Sequence, residues 1–574
     1  MDFNFLVGGE AGQGVQSMGY ILARSMAKGG YSVLASQDYE SRVRGGHNFF
    51  AVRVGDYPVQ AVSEEVNLLI ALNEETIRLH RGELTKDGLI LYDGERGKMA
   101  SAEPALVNVP FERLALEQTG NRIMGNTVAL GAALRLVKYD FEILSAVLRK
   151  TFGKKGREVA EKNVDAARAG YDFVNEGGPA SFKYRLAPVG ASRKMVINGG
   201  EAVALGALAA GCKFVSGYPM TPSTGILQYF AGQSEAFNVV FEQAEDEIAA
   251  INMVLGASYA GVRALTATSG GGFSLMVESL SLAGMTETPA VIVLGQRVGP
   301  ATGLPTRTEQ GELEFAIHAG HGMFPRVVFA PGTVEEAFYL TAKAFNLAEK
   351  YQVPVILLTD TYLTDTYATA EFDLSKVTVE RGVFLSDEEV RALGKYGYMR
   401  HKLTPSGVSP RVIPGQADAL VVTDSDEHTE DGHITESAEV RLQMVQKRLK
   451  KMNGLRTEIG GPLTYGPEEA ETVLACWGST YGALREAVDR LNNAGAVVRM
   501  IQMSEIWPFP RKAFMDAIKG SHRLVVVEGN AMGQMAHLIR AETGVEATGK
   551  ILRYDGRPLT PAYIITRFQE EVGA

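Results

Sequence analysis

Short apolar segments recur along the chain, and a stretch with helical periodicity follows most of them. In the middle of the sequence they are AVIVLG, RVVFA and VPVILLTD, which begin at residues 290, 326 and 353. Strands that are apolar throughout are typical of a parallel sheet covered by helices on both faces. Because 574 residues are too many for one hydrophobic core, we predict an α/β fold of several domains, with segments that run to about residue 180, from residue 195 and from about residue 471.

The charge balance and the hydropathy narrow the classes of partner. The chain has 57 Lys and Arg against 67 Asp and Glu, and this net charge of −10 disfavours nucleic acid and anionic membranes. No run of 18 apolar residues is present, so we predict no membrane-spanning helix. The amino-terminal residues do not resemble an export signal, and we therefore expect a cytoplasmic protein.

Cysteine usage limits the metal chemistry of the chain. Its two cysteines, Cys212 and Cys476, are too few for a four-cysteine iron–sulfur cluster or a structural zinc site, and their apolar context predicts burial. Two charged clusters are interpreted as solvated surface, namely the basic residues at 447–451 and the acidic run with two histidines at 424–433. The sequence therefore predicts no metal site in this chain.

The first predicted strand ends in a glycine-rich turn, GGEAGQG, at residues 8–14. Gly12 and Gly14 allow a tight turn, and the helix that follows favours an anion at its amino end. A purely structural turn explains the same pattern, because the glycines do not have G-x-G-x-x-G spacing. Arg42 and Arg44 follow in a predicted loop, as candidates for binding phosphate or carboxylate or for an interface ion pair.

The second predicted domain has polar loops after several strands. The segment YPMTPST follows the strand CKFVSG and puts the hydroxyls of Thr221, Ser223 and Thr224 in one loop. Arg297 comes two residues after the end of the strand AVIVLG, where its guanidinium is well placed to hold a carboxylate. Because α/β sheets bind ligands at the carboxyl ends of their strands, these loops predict a site for a small polar ligand. Helix capping by a hydroxyl and a surface position for Arg297 are the alternatives.

Three acidic residues, Glu245, Asp246 and Glu247, precede a predicted helix of small and apolar residues. Carboxylates in the first turn complement the helix dipole, which explains one or two of them. Glu247 has Ala250 and Ile251 on its face of the helix, so it is the one predicted to point inward. After the next strand, TATSGGGFSLM is predicted to form a glycine-rich turn before another helix.

The order of these motifs resembles the 2-oxoacid:ferredoxin oxidoreductase family. It runs from GGEAGQG and SRVRGGH through GYPMTPST, EDEIAAINMVLGASYAG, TATSGGGFSLM and GQRVGPATGLPTRTEQG to EGNAMGQ and YDGRPLTP. The arrangement is similar to that of 2-oxoglutarate-type enzymes, whose γ domain is fused ahead of α. The resemblance implies a γ domain at 1–185, a thiamine-diphosphate pyrimidine-binding domain with a mostly parallel sheet and an irregular tail at 190–455, and a transketolase C-terminal-like domain at 456–574.

The resemblance also implies roles for individual residues. Glu247 matches the glutamate that contacts the aminopyrimidine ring of thiamine and favours its imino tautomer, and Glu245 is the alternative. Arg297 matches the arginine that holds the 2-oxoacid and is, with Glu247, an expected catalytic residue. The other implied residues are Thr221, Thr306 and Arg307 for the substrate, Tyr218, Pro219 and Gly271 for the cofactor, and Gly12, Gly14, Arg42 and Arg44 as candidate contacts of CoA or another anion.

One motif of thiamine enzymes is missing from the sequence. These enzymes hold the diphosphate and Mg²⁺ with Gly-Asp-Gly, from which Gly55-Asp56-Tyr57 departs at the third position. The resemblance assigns that motif, the Mg²⁺ and a [4Fe-4S] cluster to a β subunit. It implies oxidative decarboxylation of a 2-oxoacid, with 2-oxoglutarate favoured, by thiamine diphosphate and CoA to acyl-CoA, CO₂ and reduced ferredoxin.

Several alternatives stay open at this point. The substrate alternative is a broad-range or branched-chain 2-oxoacid. For the activity, the alternatives are a non-redox thiamine carboligase or transketolase, which needs no cluster, and a non-catalytic scaffold subunit that kept the fold. Absorption by an iron–sulfur cluster in the purified complex would distinguish a redox enzyme from a carboligase or transketolase. Bound thiamine would distinguish an enzyme from a non-catalytic scaffold subunit.

Overall fold

The structure is a computed structural model, and it describes residues 1–41, 45–95, 105–174, 182–190 and 194–573. The chain divides into two compact units, which are described separately. The first comprises Met1–Ile197, Asp365–Glu371 and Thr560–Ala562, and the second comprises Asn198–Thr364, Phe372–Leu559 and Tyr563–Ala574. The three predicted domains are a finer division, and their boundaries stay a proposal.

Strands and α-helices alternate through most of the described chain. The strands are β1 (Asp2–Glu10), β2 (Ser32–Asp38), β3 (His47–Gly55), β4 (Val66–Ala71), β5 (Leu84–Tyr92), β6 (Leu106–Asn108), β7 (Met195–Asn198), β8 (Phe214–Gly217), β9 (Val240–Gln243), β10 (Ala264–Ser269), β11 (Ala290–Gln296), β12 (Val327–Phe329), β13 (Pro354–Asp360), β14 (Tyr367–Ala370), β15 (Leu463–Tyr465), β16 (Thr472–Trp477), β17 (Val498–Met503), β18 (Glu505–Trp507), β19 (Arg523–Glu528) and β20 (Gly549–Leu552). The helices are α1 (Val15–Lys28), α2 (Glu74–His80), α3 (Phe111–Thr119), α4 (Gly125–Leu136), α5 (Phe141–Phe152), α6 (Arg157–Phe173), α7 (Gly199–Ala209), α8 (Thr224–Phe237), α9 (Glu247–Tyr259), α10 (Gly270–Met285), α11 (Leu313–His318), α12 (Val334–Tyr351), α13 (Thr361–Asp365), α14 (Asp387–Leu393), α15 (Ala438–Glu458), α16 (Tyr481–Asn493), α17 (Arg511–Ala517), α18 (Gln534–Thr543) and α19 (Pro561–Gly573).

The first unit is built on an eight-stranded sheet with the order β6-β5-β4-β1-β3-β2-β14-β7. β1 pairs in parallel with β4 and antiparallel with β3, so the sheet is mixed. Phe3, Phe5 and Val7 of β1 are fully buried in a core that Leu22 and Met26 of α1 also form. The predicted packing of helices on a sheet is therefore confirmed for this part of the chain.

The second unit contains a seven-stranded sheet with the order β18-β12-β13-β11-β10-β8-β9. Its strands from β8 to β13 pair in parallel, and only the edge strand β18 runs antiparallel. Every residue of β10, β11 and β13 is buried. The structure thus confirms the parallel sheet with two covered faces that the apolar runs predict.

A five-stranded sheet with the order β15-β17-β16-β19-β20 completes the second unit. All its pairs are parallel except β15 with β17. Cys476 and Trp477 of β16 are fully buried, and so is Cys212, as the sequence predicts. The indole Nε1 of Trp477 donates a hydrogen bond to Glu528 Oε2 at 3.2 Å. Among the described helices, none is both long enough and apolar enough to cross a membrane.

The basic cluster of α15 is buried, so its interpretation as a solvated helix face is wrong. Lys447, Arg448 and Lys451 are enclosed, whereas Lys450 is exposed. Lys447 and Lys451 form ion pairs with the fully buried Glu287. Burial opposes ionisation of this carboxyl, but the ammonium groups outweigh it and hold the pKa of Glu287 well below its usual range. The two lysines are therefore buried because they pair with a buried carboxylate from a distant part of the sequence.

The acidic run at 424–433 is also not entirely solvated. His428 is fully buried, and its ring lies against that of His401 with the centroids 3.9 Å apart. Glu427 accepts hydrogen bonds from Arg448, at 2.9 and 3.0 Å. Within the described ranges, no group of three or more His, Cys, Asp or Glu side chains is arranged to hold a metal ion.

Candidate active site

Four of the sequence motifs meet at the carboxyl-end edge of the seven-stranded sheet. β8, β10 and β11 are parallel neighbours, so the segments that follow them emerge at one edge. These segments are the loop at 218–223, the start of α10, and the loop that begins at Arg297. α9 contributes the acidic motif, because Glu247 at its start lies beside the first turn of α10.

The three acidic residues at the start of α9 differ in their exposure to solvent. Asp246 is the N-cap, and its Oδ1 accepts a hydrogen bond from the backbone N–H of Ala249 at 2.7 Å. Glu245 and Asp246 are exposed, whereas Glu247 is 3% exposed. Glu247 Oε1 is buried and has no hydrogen-bond partner among the described residues. A buried carboxylate oxygen without a partner is costly, and this indicates a position that a ligand completes.

The glycine-rich segment after β10 is helical from its first residue, so the predicted turn is wrong. α10 begins at Gly270, immediately after Ser269 of β10, so no turn separates the strand from the helix. A Cβ atom on Gly272 would lie 2.5 Å from Glu247 Oε1. Glycine at this position therefore lets the carboxylate reach the first turn of the helix. Gly271, the predicted cofactor contact, is exposed.

Hydroxyl groups of β10 also lack partners. Thr266, Thr268 and Ser269 are fully buried, and their hydroxyl oxygens form no hydrogen bond within the described part of the chain. Thr268 lies beside the same Gly272 position as Glu247. Buried hydroxyls and a buried carboxylate oxygen without partners are complementary to a polar ring that donates and accepts hydrogen bonds.

Arg297 and Thr221, both predicted to bind substrate, are in contact. Nη1 of Arg297 donates a hydrogen bond to the backbone oxygen of Thr221 at 2.8 Å. The other N–H groups of this guanidinium donate to no residue of the described ranges. Partial burial lowers the pKa of Arg297, which nevertheless stays a cation. A half-buried guanidinium with unused N–H groups is suited to a carboxylate, which accepts two parallel hydrogen bonds.

The loop before α8 is held by its own side chains. The hydroxyl of Ser223 donates a hydrogen bond to the backbone oxygen of Met220 at 2.7 Å. Ser223 is fully buried, so its hydroxyl serves the loop and not a ligand. Tyr218 and Pro219, the predicted cofactor contacts at the start of the loop, are exposed.

The loop after β11 folds back on itself and carries Thr306 and Arg307. The backbone N–H of Leu304 donates to the backbone oxygen of Val298 at 3.2 Å, which closes the loop. Thr306 and Arg307 are both half-buried. The structure therefore puts the two residues predicted to select the substrate side chain in the same loop as Arg297.

Glu312 ends this loop, and the sequence patterns did not single it out. Its backbone N–H donates to Gln296 Oε1 at 3.0 Å. A Cβ atom on Gly270 would lie 2.6 Å from Glu312 Oε1, and Oε2 is buried without a hydrogen-bond partner among the described residues. Burial, and then the charge of Glu309, raises the pKa of Glu312 to about 8 against the opposing effect of Arg297. The segment TEQGEL does not by itself identify Glu312 as a functional residue, because the raised pKa of Glu312 depends on its burial in the folded chain.

The amino-terminal glycine turn lies in the first unit. Gly12 and Gly14 have φ values of 94° and 79°, and Gly14 directly precedes α1. Glycine adopts such values without strain, which accounts for the residue type. Binding of CoA or another anion at this turn stays a prediction, and Arg42 and Arg44 lie outside the described residues.

Three family models match successive parts of the chain. Residues 4–173 match pyruvate ferredoxin/flavodoxin oxidoreductase. Residues 205–447 match the thiamine-diphosphate-binding part of pyruvate flavodoxin/ferredoxin oxidoreductase, and residues 470–564 match core domain II of pyruvate:ferredoxin oxidoreductase. The middle match contains Thr221, Glu247 and Arg297.

Relatives of nearly full length agree with these matches. The 2-oxoacid:ferredoxin oxidoreductase subunit alpha of a Sulfolobus species is 32% identical over 97% of this chain and 95% of its own length. The 2-oxoglutarate oxidoreductase subunit KorA of Mycobacterium tuberculosis is 27% identical over 93% and 86% of the two chains. The solved structure of 2-oxoglutarate:ferredoxin oxidoreductase from Magnetococcus marinus, with 2-oxoglutarate, coenzyme A and succinyl-CoA bound, is 33% identical, covers 100% and 99% of the two chains, and has a TM-score of 0.90. The likeness in sequence and fold extends from end to end, and the chain belongs to the 2-oxoacid:ferredoxin oxidoreductase family as an alpha subunit.

Proposed function

We propose that this alpha subunit binds the aminopyrimidine ring of thiamine diphosphate at Glu247 and the carboxylate of 2-oxoglutarate at Arg297. The observation that carries the proposal is the burial of Glu247, with Oε1 unpartnered among the described residues, beside the glycine-lined start of α10. Arg297 lies in the loop of an adjacent strand and has N–H groups to offer a carboxylate. One edge of the sheet thus carries a group for the cofactor and a group for the substrate.

The residues around Glu247 fit the polar edge of a pyrimidine ring. When bound, thiamine diphosphate supplies a nucleophilic carbon and an electron sink for decarboxylation. Glu247 Oε1 is a buried acceptor for a ring N–H, and Thr268 adds a buried hydroxyl. Exclusion of water from this buried position strengthens a hydrogen bond to the carboxylate, which thereby holds a proton at the ring nitrogen.

Arg297→Lys is expected to lower kcat/KM for the 2-oxoacid by about 10- to 100-fold, with KM raised and kcat lowered. Lysine keeps the charge but loses the fork that grips both oxygens of a carboxylate, and a charged hydrogen bond contributes about 1.5–3 kcal/mol. A loosely held substrate also meets the cofactor at a poorer angle. Steady-state kinetics of the complex with its β subunit measure both constants.

Thiamine diphosphate affinity is the second readout for this variant, and it should stay within about twofold of the wild-type value. Arg523→Lys, at an exposed position of β19, is the matched control and should leave all constants unchanged. Equal losses of cofactor and substrate affinity in Arg297→Lys would contradict a dedicated role in holding the substrate.

Two relatives and one loop residue support 2-oxoglutarate as the substrate. The Mycobacterium relative is a 2-oxoglutarate oxidoreductase subunit, and the Magnetococcus enzyme holds 2-oxoglutarate and succinyl-CoA. This acid has a distal carboxylate that needs a cation. The half-buried Arg307, ten residues after Arg297 in the same loop, is the cation that we assign to it.

Arg307→Ala is expected to reduce kcat/KM for 2-oxoglutarate by about 10-fold or more, since a charged hydrogen bond contributes about 1.5–3 kcal/mol. Pyruvate has no distal carboxylate, so its lower basal turnover should change little. The ratio of the two specificity constants, measured for the wild type and the variant, gives the effect directly. An equal loss of kcat/KM for 2-oxoglutarate and for pyruvate would mean that the cation that selects the substrate belongs to another subunit.

The remainder of the site we assign to a β subunit that has Gly-Asp-Gly, Mg²⁺ and a [4Fe-4S] cluster. This chain has no Gly-Asp-Gly and only two cysteines. Ile248 and Met253 of α9 and Leu275 of α10 are 48%, 39% and 49% exposed, on the helices that begin at the site. Exposed apolar side chains next to the site suit a surface that a subunit covers. Ferredoxin and CoA are the co-substrates, and a cytoplasmic location stays a prediction.

A further inference from the structure

Glu312 is fixed beside Arg297 through the side chain of Gln296. Gln296, the last residue of β11, is 1% exposed, and its Nε2 donates to the backbone oxygen of Thr359 at 3.1 Å. Its Oε1 accepts the backbone N–H of Glu312 at 3.0 Å. Because Arg297 is the next residue after Gln296, these hydrogen bonds hold the backbone of Glu312 close to the start of the loop that carries Arg297.

The carboxyl of Glu312 lies close to Arg297 but is not paired with it. Within the described structure no ion pair joins the two side chains, although their charges influence each other. Oε1 faces Gly270 at the start of α10, and Oε2 is enclosed without a partner among the described residues. The other charged group that acts on Glu312 is Glu309, whose Oε2 accepts the backbone N–H of Gly299 at 3.2 Å.

The carboxyl of Glu247 also lies at the start of α10. It lies against Gly272, two residues after the Gly270 position that Glu312 contacts. The charged groups that act on Glu312 are therefore one carboxyl, Glu309, and one guanidinium, Arg297, and burial opposes its ionisation. Such surroundings disfavour its charged form unless Arg297 turns toward it.

We propose that Glu312 is a positioning residue for the 2-oxoacid: in its protonated form it leaves Arg297 to the substrate carboxylate, and in its ionised form it competes for that guanidinium. This role rests on the proposed function of Arg297. Burial raises the pKa of Glu312 to about 8, so the neutral form predominates at pH 7. Substrate binding should then weaken as the pH rises above 8.

The first test is the KM for the 2-oxoacid between pH 7 and pH 9, measured on the complex with saturating CoA and ferredoxin. If the ionised form does not bind substrate, KM rises about 10-fold, since the competent fraction falls by that factor. Glu312→Gln cannot ionise, so its KM should stay within about twofold over this range. Glu314→Gln, at a half-exposed carboxylate two residues later, should keep the wild-type profile. The same rise in KM for the wild type and Glu312→Gln would overturn the proposal.

The second test does not need turnover, because it measures the free energy of unfolding of the chain alone against pH. The pKa of Glu312 is about 8 in the folded chain against a usual 4.5. The stability that its protonated form contributes is therefore complete below pH 4.5 and lost as the pH rises to 8. Glu312→Gln should remove this loss. A complex without turnover overturns the proposed function, whereas unfolding curves with the same pH dependence in both chains overturn the role of Glu312.

Discussion

Glu247→Gln is expected to lower kcat for acyl-CoA formation by about 10²- to 10⁴-fold, the usual contribution of a positioned acid or base. The amide has the volume of the carboxylate, so the buried surroundings of Glu247, which is 3% exposed, stay filled. It cannot accept and hold a proton from the ring, however. Turnover of the complex measures the loss, and the thermal unfolding midpoint of the chain should show that the fold is retained.

Glu245→Gln is the matched control for this experiment. It makes the same chemical change two positions earlier, at a carboxylate that is exposed ahead of α9. Its turnover should equal that of the wild type. If Glu245→Gln abolishes turnover and Glu247→Gln does not, the position of the thiamine contact on this segment is wrong by two residues.

The chain without its β subunit is expected to have no measurable 2-oxoacid turnover and only weak affinity for thiamine diphosphate. In the proposed site, Glu247 and Thr268 would contact only the ring, while the diphosphate charge and Mg²⁺ would need oxygen ligands of the kind that a Gly-Asp-Gly segment supplies. Titration calorimetry with thiamine diphosphate and Mg²⁺, on the chain alone and on the complex, measures this difference. Tight binding by the chain alone would contradict the division of the site between subunits.

A substitution of Ile248, an exposed apolar residue of α9, tests the same division. Ile248→Arg puts a charge next to Glu247, on the surface assigned to the β subunit, and should weaken association of the subunits by at least 10-fold, since burying an unpaired charge costs several kcal/mol. Leu442→Arg, on an exposed face of α15, is the control and should leave association unchanged. Analytical ultracentrifugation of the mixed subunits gives both results.

The sequence predicts the features of this chain that depend on local pattern. β11 and β13 are buried on both faces, and their sequences are apolar along most of their length, as such burial favours. Glu247 is identified as the inward carboxylate because helical periodicity puts Ala250 and Ile251 on its side. Arg297 is identified because it directly follows a strand. In each case the relevant neighbours are within a few residues along the chain.

The features that the sequence does not predict depend on residues far apart in the chain. The lysines of α15 are buried because Glu287, about 160 positions earlier, neutralises them. Gly272, in the first turn of α10, is a glycine because Glu247 from another helix needs the space. The raised pKa of Glu312 arises from burial and then from the charge of Glu309, against the opposing effect of Arg297, and no local pattern encodes that combination. The predicted turn and the predicted solvated helix face were wrong for this reason.

The measurement that tests the central claim most directly is the CoA-dependent reduction of ferredoxin by 2-oxoglutarate, followed together with succinyl-CoA formation. It is made on four samples, which are the chain alone, the β subunit alone, their complex, and the complex with Glu247→Gln. We expect the wild-type complex alone to reduce ferredoxin, with succinyl-CoA formed in proportion. Turnover by the isolated chain, or undiminished turnover by the Glu247→Gln complex, would contradict the account.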